Sequence, residues 1–312
     1  MSSLLPITHV ALCVLCGCVA ASSAPVKSDI EGQVSTKAKL ETAASPSLVA
    51  VGDLHGDLDN AIAALNLVGM VDRDGRWTGG SATLVQTGDI TDRGPDSKGL
   101  IEWMQQLEIQ SKADGGRVIA LLGNHEAMNL TGDWRYVDPG DIHAFGGLEA
   151  RKQAFSADGS AGRWLRHKDA VAVVEGTVFV HGGVHPDVAA MGLTALNKGV
   201  RDSLDDRADP STTATLLGPQ GPLWLRDYVQ APEAVACPLL QRALTSLQAN
   251  RMVVGHTTRR DGKIQERCDG RLHVIDIGIA DHYGANLGVW TQTAGHARAV
   301  YPGRSVDLRD PS

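Results

Sequence analysis

Asp53 and His55 stand two residues apart, directly after the apolar run Leu48–Val51 and Gly52. In extended backbone, residues at i and i+2 point to the same side. A carboxylate and an imidazole aimed at one point form a ligand pair for a hard or borderline cation. Alone, the pair reads more readily as a turn with a surface histidine. Four further places repeat the arrangement: Asp89 after Gly88, Asn124 with His125 after Gly123, His181 before Gly182-Gly183, and His256 after Gly255. Each adjoins a glycine and closes a β-rich run. A metal-type residue at five expected strand ends points to a metal centre rather than to chance.

Such residues need strands to present them. The run Leu48–Val51 is followed by an i, i+4, i+7 stripe (Leu58, Ile62, Leu65, with Val68 beyond) that predicts a helix over 58–68, capped by Asp57 or Asp59. A turn at 72–77 and a short edge strand come next. A second strand is expected at 82–87. A helix follows at 96–111 with Pro95 in its first turn and Leu100, Met104 and Leu107 inward. A third strand is expected at 118–122. This is β-α-β-α-β, and open α/β sheets bind ligands at the carboxyl ends of their strands. Residues 127–168 are irregular, with Trp134, Tyr136, His143 and Phe145 among glycines and with basic residues that include Arg151 and Lys152. They read as an insert that covers the site and shapes access, or as a purely structural cap, with His143 at the surface or on a lid. Val171–Val174 and Thr177–Val180, joined by Glu175-Gly176, read as a hairpin. A helix at 237–249 turns Leu240, Leu244 and Leu247 inward. Strands at 252–254, 272–277, 287–291 and 297–301 are expected to complete a second sheet.

At 312 residues the chain can bury one large α/β core or two smaller ones. A formal charge of −7 argues against bulk attraction to DNA or RNA, so no nucleic-acid partner is expected. Residues 1–24 lack Asp, Glu, Lys and Arg, and their apolar stretch is too short to span a bilayer. They fit an export signal whose usual positive start is missing. Leu15-Cys16-Gly17-Cys18 also resembles a bacterial lipobox with Cys18 as the lipidated residue. The expected location is therefore periplasmic, free or as a membrane-anchored lipoprotein. Membrane contact is expected only if Cys18 is lipidated. Residues 25–46 read as a tether, and the folded domain as 47–304. Cys237 and Cys268 lie in the body. They could pair, closing a loop of about 30 residues and adding about 3 kcal/mol, or remain separate thiols.

Taken together, Gly52-Asp53-x-His55-Gly56, Gly88-Asp89-x-x-Asp92-Arg93-Gly94, Gly123-Asn124-His125-Glu126, His181-Gly182-Gly183 and Gly255-His256 resemble the motif set of the calcineurin-like metallophosphoesterases. Asp92-Arg93-Gly94 and His125-Glu126 resemble its phosphoprotein phosphatase branch. Gly221-Pro222-Leu223-Trp224 with Arg226 resembles the Shewanella-like phosphatases within that branch. The resemblance spans roughly residues 47–292. It implies a four-layer α/β/β/α sandwich of two mixed β-sheets with a dinuclear metal site at the strand carboxyl ends. Asp53, His55 and a bridging Asp89 would hold one ion, and Asp89, Asn124, His181 and His256 the second. The ions would be divalent or trivalent: Mn, Fe or Zn. The implied reaction is hydrolysis of a phosphomonoester by in-line attack of a hydroxide bridging the two ions. His125 would protonate the leaving oxygen and Asp92 would orient it. Arg93 and Arg226 would bind phosphate oxygens.

The implied substrates are phosphorylated proteins or peptides, phosphotyrosine among them, or small phosphomonoesters. Many relatives close the motif set with Gly-His-x-His, whereas this chain has Thr258 at the last position. That departure favours the protein phosphatase branch and leaves the first ion with three protein ligands. Two other readings remain: hydrolysis of dinucleoside polyphosphates, whose enzymes share Gly-Asp-x-His-Gly, and a non-catalytic metal-binding scaffold. The scaffold has no use for the proton donor His125. His185 matches no ligand position and is read as structural, and Asp57 as a helix cap.

Overall fold

The computed structural model describes residues 46–311. The expected leader at 1–24 and nearly all of the tether lie outside the described residues. Among those described, no helix is long and apolar enough to cross a membrane.

The first half alternates as the sequence pattern predicts. Strand β1 (Leu48–Val51) leads to helix α1 (Leu58–Asn66), β2 (Thr83–Gln86), α2 (Ser97–Ala113) and β3 (Arg117–Ala120). β1, β2 and β3 pair in parallel, so their carboxyl ends lie side by side. Asp57 caps α1, its carboxylate accepting the Asn60 N–H at 3.1 Å. Of the expected stripe only Leu65 is fully buried; Ala61 and Ala64 share the inner face. Two alanines let the helix lie close to the sheet and push the bulkier Leu58 and Ile62 to its flanks. Pro95 lies before α2 rather than in its first turn, because Asp96 takes the cap and accepts from Gly99 N–H at 2.8 Å. The edge strand expected after residue 77 is reduced to one bridge, Val71 to Trp77. β2 stops at Gln86, whose buried amide bonds both the N–H and the C=O of Gly88 and so replaces a ladder partner.

The segment after β3 is helical, not irregular: α3 (Asn124–Leu130), α4 (Pro139–Ala144), α5 (Leu148–Phe155) and α6 (Ser160–Arg166). Asn124 and His125 therefore open a helix rather than end a strand. His143 is exposed on α4. β4 (Val171–Val174) and β5 (Thr177–Val180) form the expected hairpin. Glu175 and Gly176 both have positive φ, as a two-residue type I′ turn requires. Helices α7 (Pro186–Ala189), α8 (Leu193–Leu204), α9 (Pro210–Leu216), α10 (Asp227–Gln230) and α11 (Glu233–Ser246) follow. His185 caps α7, which agrees with a structural role. α11 starts a turn earlier than the sequence pattern indicates, with Pro238 inside it.

The remaining strands are β6 (Arg251–Val254), β7 (Gln265–Arg267), β8 (Leu272–Val274), β9 (Val289–Thr293), β10 (His296–Tyr301) and β11 (Arg304–Asp307). The two mixed sheets run β11-β10-β9-β1-β2-β3 and β4-β5-β6-β8-β7. β9 and β10 thus belong to the first sheet and not, as expected, to the second. β9 pairs antiparallel with β1, Val49 opposite Thr291. An apolar run reveals a strand but not its partner. β7 and β11 escape the sequence pattern because they are polar edge strands. β11 and the buried Arg251, which bonds Asp310 at 2.9 Å and Gln292 at 3.0 Å, carry the domain past residue 304.

The sheets meet face to face through Phe179 and Trp290, whose rings lie 5.6 Å apart at 78°. Trp290 Nε1 donates to His273 Nδ1 at 2.8 Å. β1, β5 and β6 are buried throughout, as strands covered on both faces must be. Helices close the outer layers, α2 along β3 and α8 against β4. Cys237 and Cys268 form a disulfide with Cα atoms 5.3 Å apart, tying α11 to the turn after β7. Its sequence separation of 31 residues makes the double variant C237A/C268A about 3 kcal/mol less stable in denaturant unfolding. Metal content and activity should be retained, because Cys268 lies beside the amino-terminal start of β8, with Arg267 opposite Leu272, and not at the carboxyl ends that carry the site.

Candidate active site

The carboxyl ends of β1, β2 and β3 face those of β5 and β6, and the polar loops meet between them. The loops leave their strands sharply. His55, Asp89, Asp92, Arg93 and His256 all have φ between 45° and 70°, a region that side-chain-bearing residues rarely adopt. Each such residue costs on the order of 1–3 kcal/mol and persists only where its surroundings fix it. Glu126 supplies much of that fixing. Its buried carboxylate accepts from the N–H groups of Gly123 (2.8 Å), Asp89 (2.8 Å), Ile90 (2.9 Å) and Thr91 (3.0 Å), and from the Thr91 hydroxyl (2.9 Å). Two glycines let carboxylates come close. A Cβ on Gly123 would lie 2.1 Å from Asp89 Oδ1, and one on Gly255 would lie 2.3 Å from Asp53 Oδ1.

The structure brings all six expected ligands together, each at most 5% exposed. Asp89 is central. Its Oδ2 lies 3.2 Å from His181 Nε2, 3.7 Å from His55 Nε2 and 3.9 Å from His125 Nε2. Its Oδ1 accepts the His125 N–H at 2.9 Å. His55 Nε2 is 3.8 Å from Asp53 Oδ2, and His181 Nε2 is 2.9 Å from Asn124 Oδ1. Each of three histidines spends one ring nitrogen on a backbone carbonyl: His55 Nδ1 on Thr91 (3.1 Å), His181 Nδ1 on Thr87 (3.0 Å) and His256 Nε2 on Trp224 (3.2 Å). That nitrogen must carry the hydrogen, so the other presents a lone pair to the centre.

The electrostatics fit cations. Burial, then the neighbouring Asp276 and Asp89, raise the Asp53 carboxyl well above its ordinary value. Burial opposes the Asp89 carboxylate, yet His181, His125 and His55 together hold it well below its ordinary value. Burial lowers His55 to about 4 against the pull of Asp89. Burial, His181 and Arg226 lower His256 to about 2. The His55 and His256 imidazoles, held neutral, and the crowded, desolvated carboxylates form a donor set suited to divalent metal ions. Buried ligand triples occur at His55, Asp89 and His125 and at Asp89, His181 and His256.

His125 differs from the other three. Its Nδ1 bonds a carboxylate, Asp92 Oδ2, at 2.8 Å. Burial opposes its proton, yet Asp89 and Asp92 together raise it above its ordinary value. Arg93 stacks on Tyr136, Cζ 3.9 Å from the ring centroid, and its N–H donates to Tyr136 O at 3.0 Å. The same ring lies 5.1 Å from that of His125. Arg226 sits by the His256 loop. It donates to His256 O at 2.7 Å and Thr257 Oγ1 at 3.2 Å, so the structure gives it an anchoring contact.

Several site residues carry little signal in the sequence. Glu126 stands within Gly123-Asn124-His125-Glu126, where the sequence assigns it no role. Asp276 closes the apolar run Val274-Ile275 and precedes Gly278, the same signal as the candidate ligands, and its Oδ1 accepts the Gly278 N–H at 3.1 Å. Arg151 and Asn129 gave no signal. Arg151 looks like a surface cation, yet it is wholly buried and bonds Asp92. Tyr283, its ring 5.0 Å from that of His55, follows a strand that ends early.

The fold and this donor set define a metal-dependent phosphoesterase centre, and comparison with known proteins agrees. The calcineurin-like phosphoesterase family model matches residues 46–259. The chain is 36% identical to an uncharacterized protein of Schizosaccharomyces pombe over 90% of this chain and 87% of that one. It is 31% identical to Shewanella-like protein phosphatase 2 of Arabidopsis thaliana over 75% and 71%. The crystal structure of the cold-active protein-tyrosine phosphatase of a psychrophilic Shewanella species superposes with a TM-score of 0.75 at 27% identity, covering 85% of this chain and 80% of that one. The chain belongs to the calcineurin-like metallophosphoesterase family. It is a hydrolase, a metal-dependent phosphatase with Shewanella-like protein phosphatases among its relatives.

Proposed function

We propose that this phosphatase hydrolyses phosphomonoesters on phosphorylated proteins or peptides, phosphotyrosine among them. The observation that carries the reading is the Asp92–His125 pair, joined at 2.8 Å, with His125 Nε2 3.9 Å from the Asp89 carboxylate. A metal scaffold needs no such proton donor. Asp53, His55 and Asp89 would hold one ion, and Asp89, Asn124, His181 and His256 the other, with Mn, Fe or Zn suited to these donors. Bound metal would polarise the phosphoryl group and supply a nucleophile at neutral pH.

The chain's own residues do the rest. His125 holds a proton at Nε2 for the departing ester oxygen, and Asp92 keeps the ring in the tautomer and orientation that allow it. Arg93, braced on Tyr136, offers its planar fork to phosphate oxygens. Arg226 would serve as a second clamp while holding the His256 loop. Similarity to the Shewanella protein-tyrosine phosphatase supports a phosphotyrosine substrate. The Cys237–Cys268 disulfide supports an exported protein, since such bonds persist in oxidising compartments.

Metal analysis of the purified protein, with a panel of phosphotyrosine and phosphoserine peptides and diadenosine tetraphosphate, tests the reading. Peptide hydrolysis that depends on Mn, Fe or Zn is expected. Hydrolysis of the nucleotide alone would replace the substrate class. Inertness towards every ester after metal loading would leave a scaffold.

A further inference from the structure

We propose that Arg151 is the positioning residue of the Asp92–His125 pair, and that α3–α6 hold the proton donor as well as cover it. This rests on His125 acting as the proton donor. Arg151 lies on α5 and has no exposed side-chain surface. Its guanidinium is spent on three partners. Nε donates to Asp141 Oδ2 at 2.7 Å, one terminal nitrogen to Asn129 Oδ1 at 2.6 Å, and the other to Asp92 Oδ1 at 3.2 Å. Aromatic rings close around it, Phe155 at 4.5 Å, Trp134 at 5.4 Å and Phe145 at 5.5 Å.

A buried ion cluster is a poor way to stabilise a fold, since well-packed apolar side chains of similar volume often do as well or better. Its geometry suits another purpose. Asp92 Oδ2 is occupied by His125 Nδ1 and by Asn129 Nδ2 at 3.0 Å, which leaves Oδ1 to Arg151. Arg151 also decides which way the Asn129 amide faces. With Oδ1 accepting from the guanidinium, Nδ2 must point to Asp92 Oδ2 and to His125 O at 2.8 Å. Arg151 therefore reaches the histidine by two routes, through the Asp92 carboxylate and through Asn129. Without it Asp92 can turn about its side chain, the amide can flip, and the imidazole loses its aim.

The affected step is proton delivery from His125 Nε2 to the ester oxygen as the P–O bond breaks. An alkyl alkoxide leaves poorly without that proton, whereas a dinitrophenolate does not need it. Arg151 should thus matter for alkyl phosphomonoesters and little for nitroaryl ones. The test compares wild type, Arg151→Met, Arg151→Lys and His125→Asn on a phosphoserine peptide and on 2,4-dinitrophenyl phosphate, with metal content measured for each. Arg151→Met should lower kcat on the peptide by about 10²-fold, with KM and metal content unchanged and dinitrophenyl turnover within about threefold of wild type. Arg151→Lys, which keeps charge but not the fork, should show the same selectivity at about tenfold and keeps the test open if the methionine variant does not fold. Equal losses on both esters, or no loss on the peptide, in the folded arginine variants would overturn the proposal alone, provided His125→Asn shows the selectivity. A His125→Asn variant without it removes the proton-donor reading, and the proposal with it.

Discussion

Asp89→Asn is expected to lose metal from both halves of the site and to lower kcat/KM by at least about 10³-fold, some 4 kcal/mol of transition-state stabilisation. The size of the effect follows from the two separate tasks of its oxygens. Oδ1 is engaged by the His125 N–H, while Oδ2 is the atom on which His181, His55 and His125 converge. An asparagine that keeps the first contact must turn its NH2 towards the centre, and an amide nitrogen with its hydrogens does not ligate a cation. If it flips to offer oxygen, the contact that orients it is lost. Metal analysis of the folded variant decides the matter. Full occupancy of both halves would remove Asp89 from the bridging position.

His125→Asn should behave in the opposite way. Metal content should match wild type, because the ring is tied to Asp92 rather than committed to an ion. kcat on an ester with a poor leaving group should fall roughly 10²–10⁴-fold, the usual contribution of a placed proton donor. Plotting log kcat against leaving-group pKa should give a steeper line for the variant than for wild type. Parallel lines would assign protonation of the leaving oxygen to some other group, and loss of metal would make His125 a ligand.

Much of this centre was readable in the chain because it is built from strand ends. An apolar run that stops at a glycine and a ligand is a local signal, and parallel pairing of β1, β2 and β3 then brings distant runs to one edge. That signal marks Asp53, His55, Asp89, His181 and His256 as candidate ligands, with Asn124 beside them at the start of the helix after β3. What was missed depends on contacts between segments far apart in sequence. The side of the sandwich that β9 and β10 join is set by pairing with β1, which no periodicity encodes. Polar edge strands such as β7 carry no apolar run at all. Arg151 was the hardest to read. Its neighbours Glu149 and Lys152 are solvent-facing, and it becomes buried only because Asp92, Asn129 and Asp141 arrive from other elements. Burial of a charge is a property of the assembled fold.

The proposed ligands come from two different sheets, and that division has a thermodynamic side. Asp53, His55, Asp89 and Asn124 follow strands of the first sheet, whereas His181 and His256 follow strands of the second. A cation coordinated by both is a crosslink across the seam, one that the unfolded chain cannot form. Linkage then makes stability a function of metal concentration: free metal at 1,000 times its Kd adds about 4 kcal/mol to the folded state. Chelation should lower Tm and added Mn²⁺ should restore it, even in His125→Asn, which turns over slowly. Melting curves thus measure how firmly the halves are joined, independently of any substrate. A Tm indifferent to metal would mean that the contacts of Phe179, Trp290 and His273 hold the two sheets together without help.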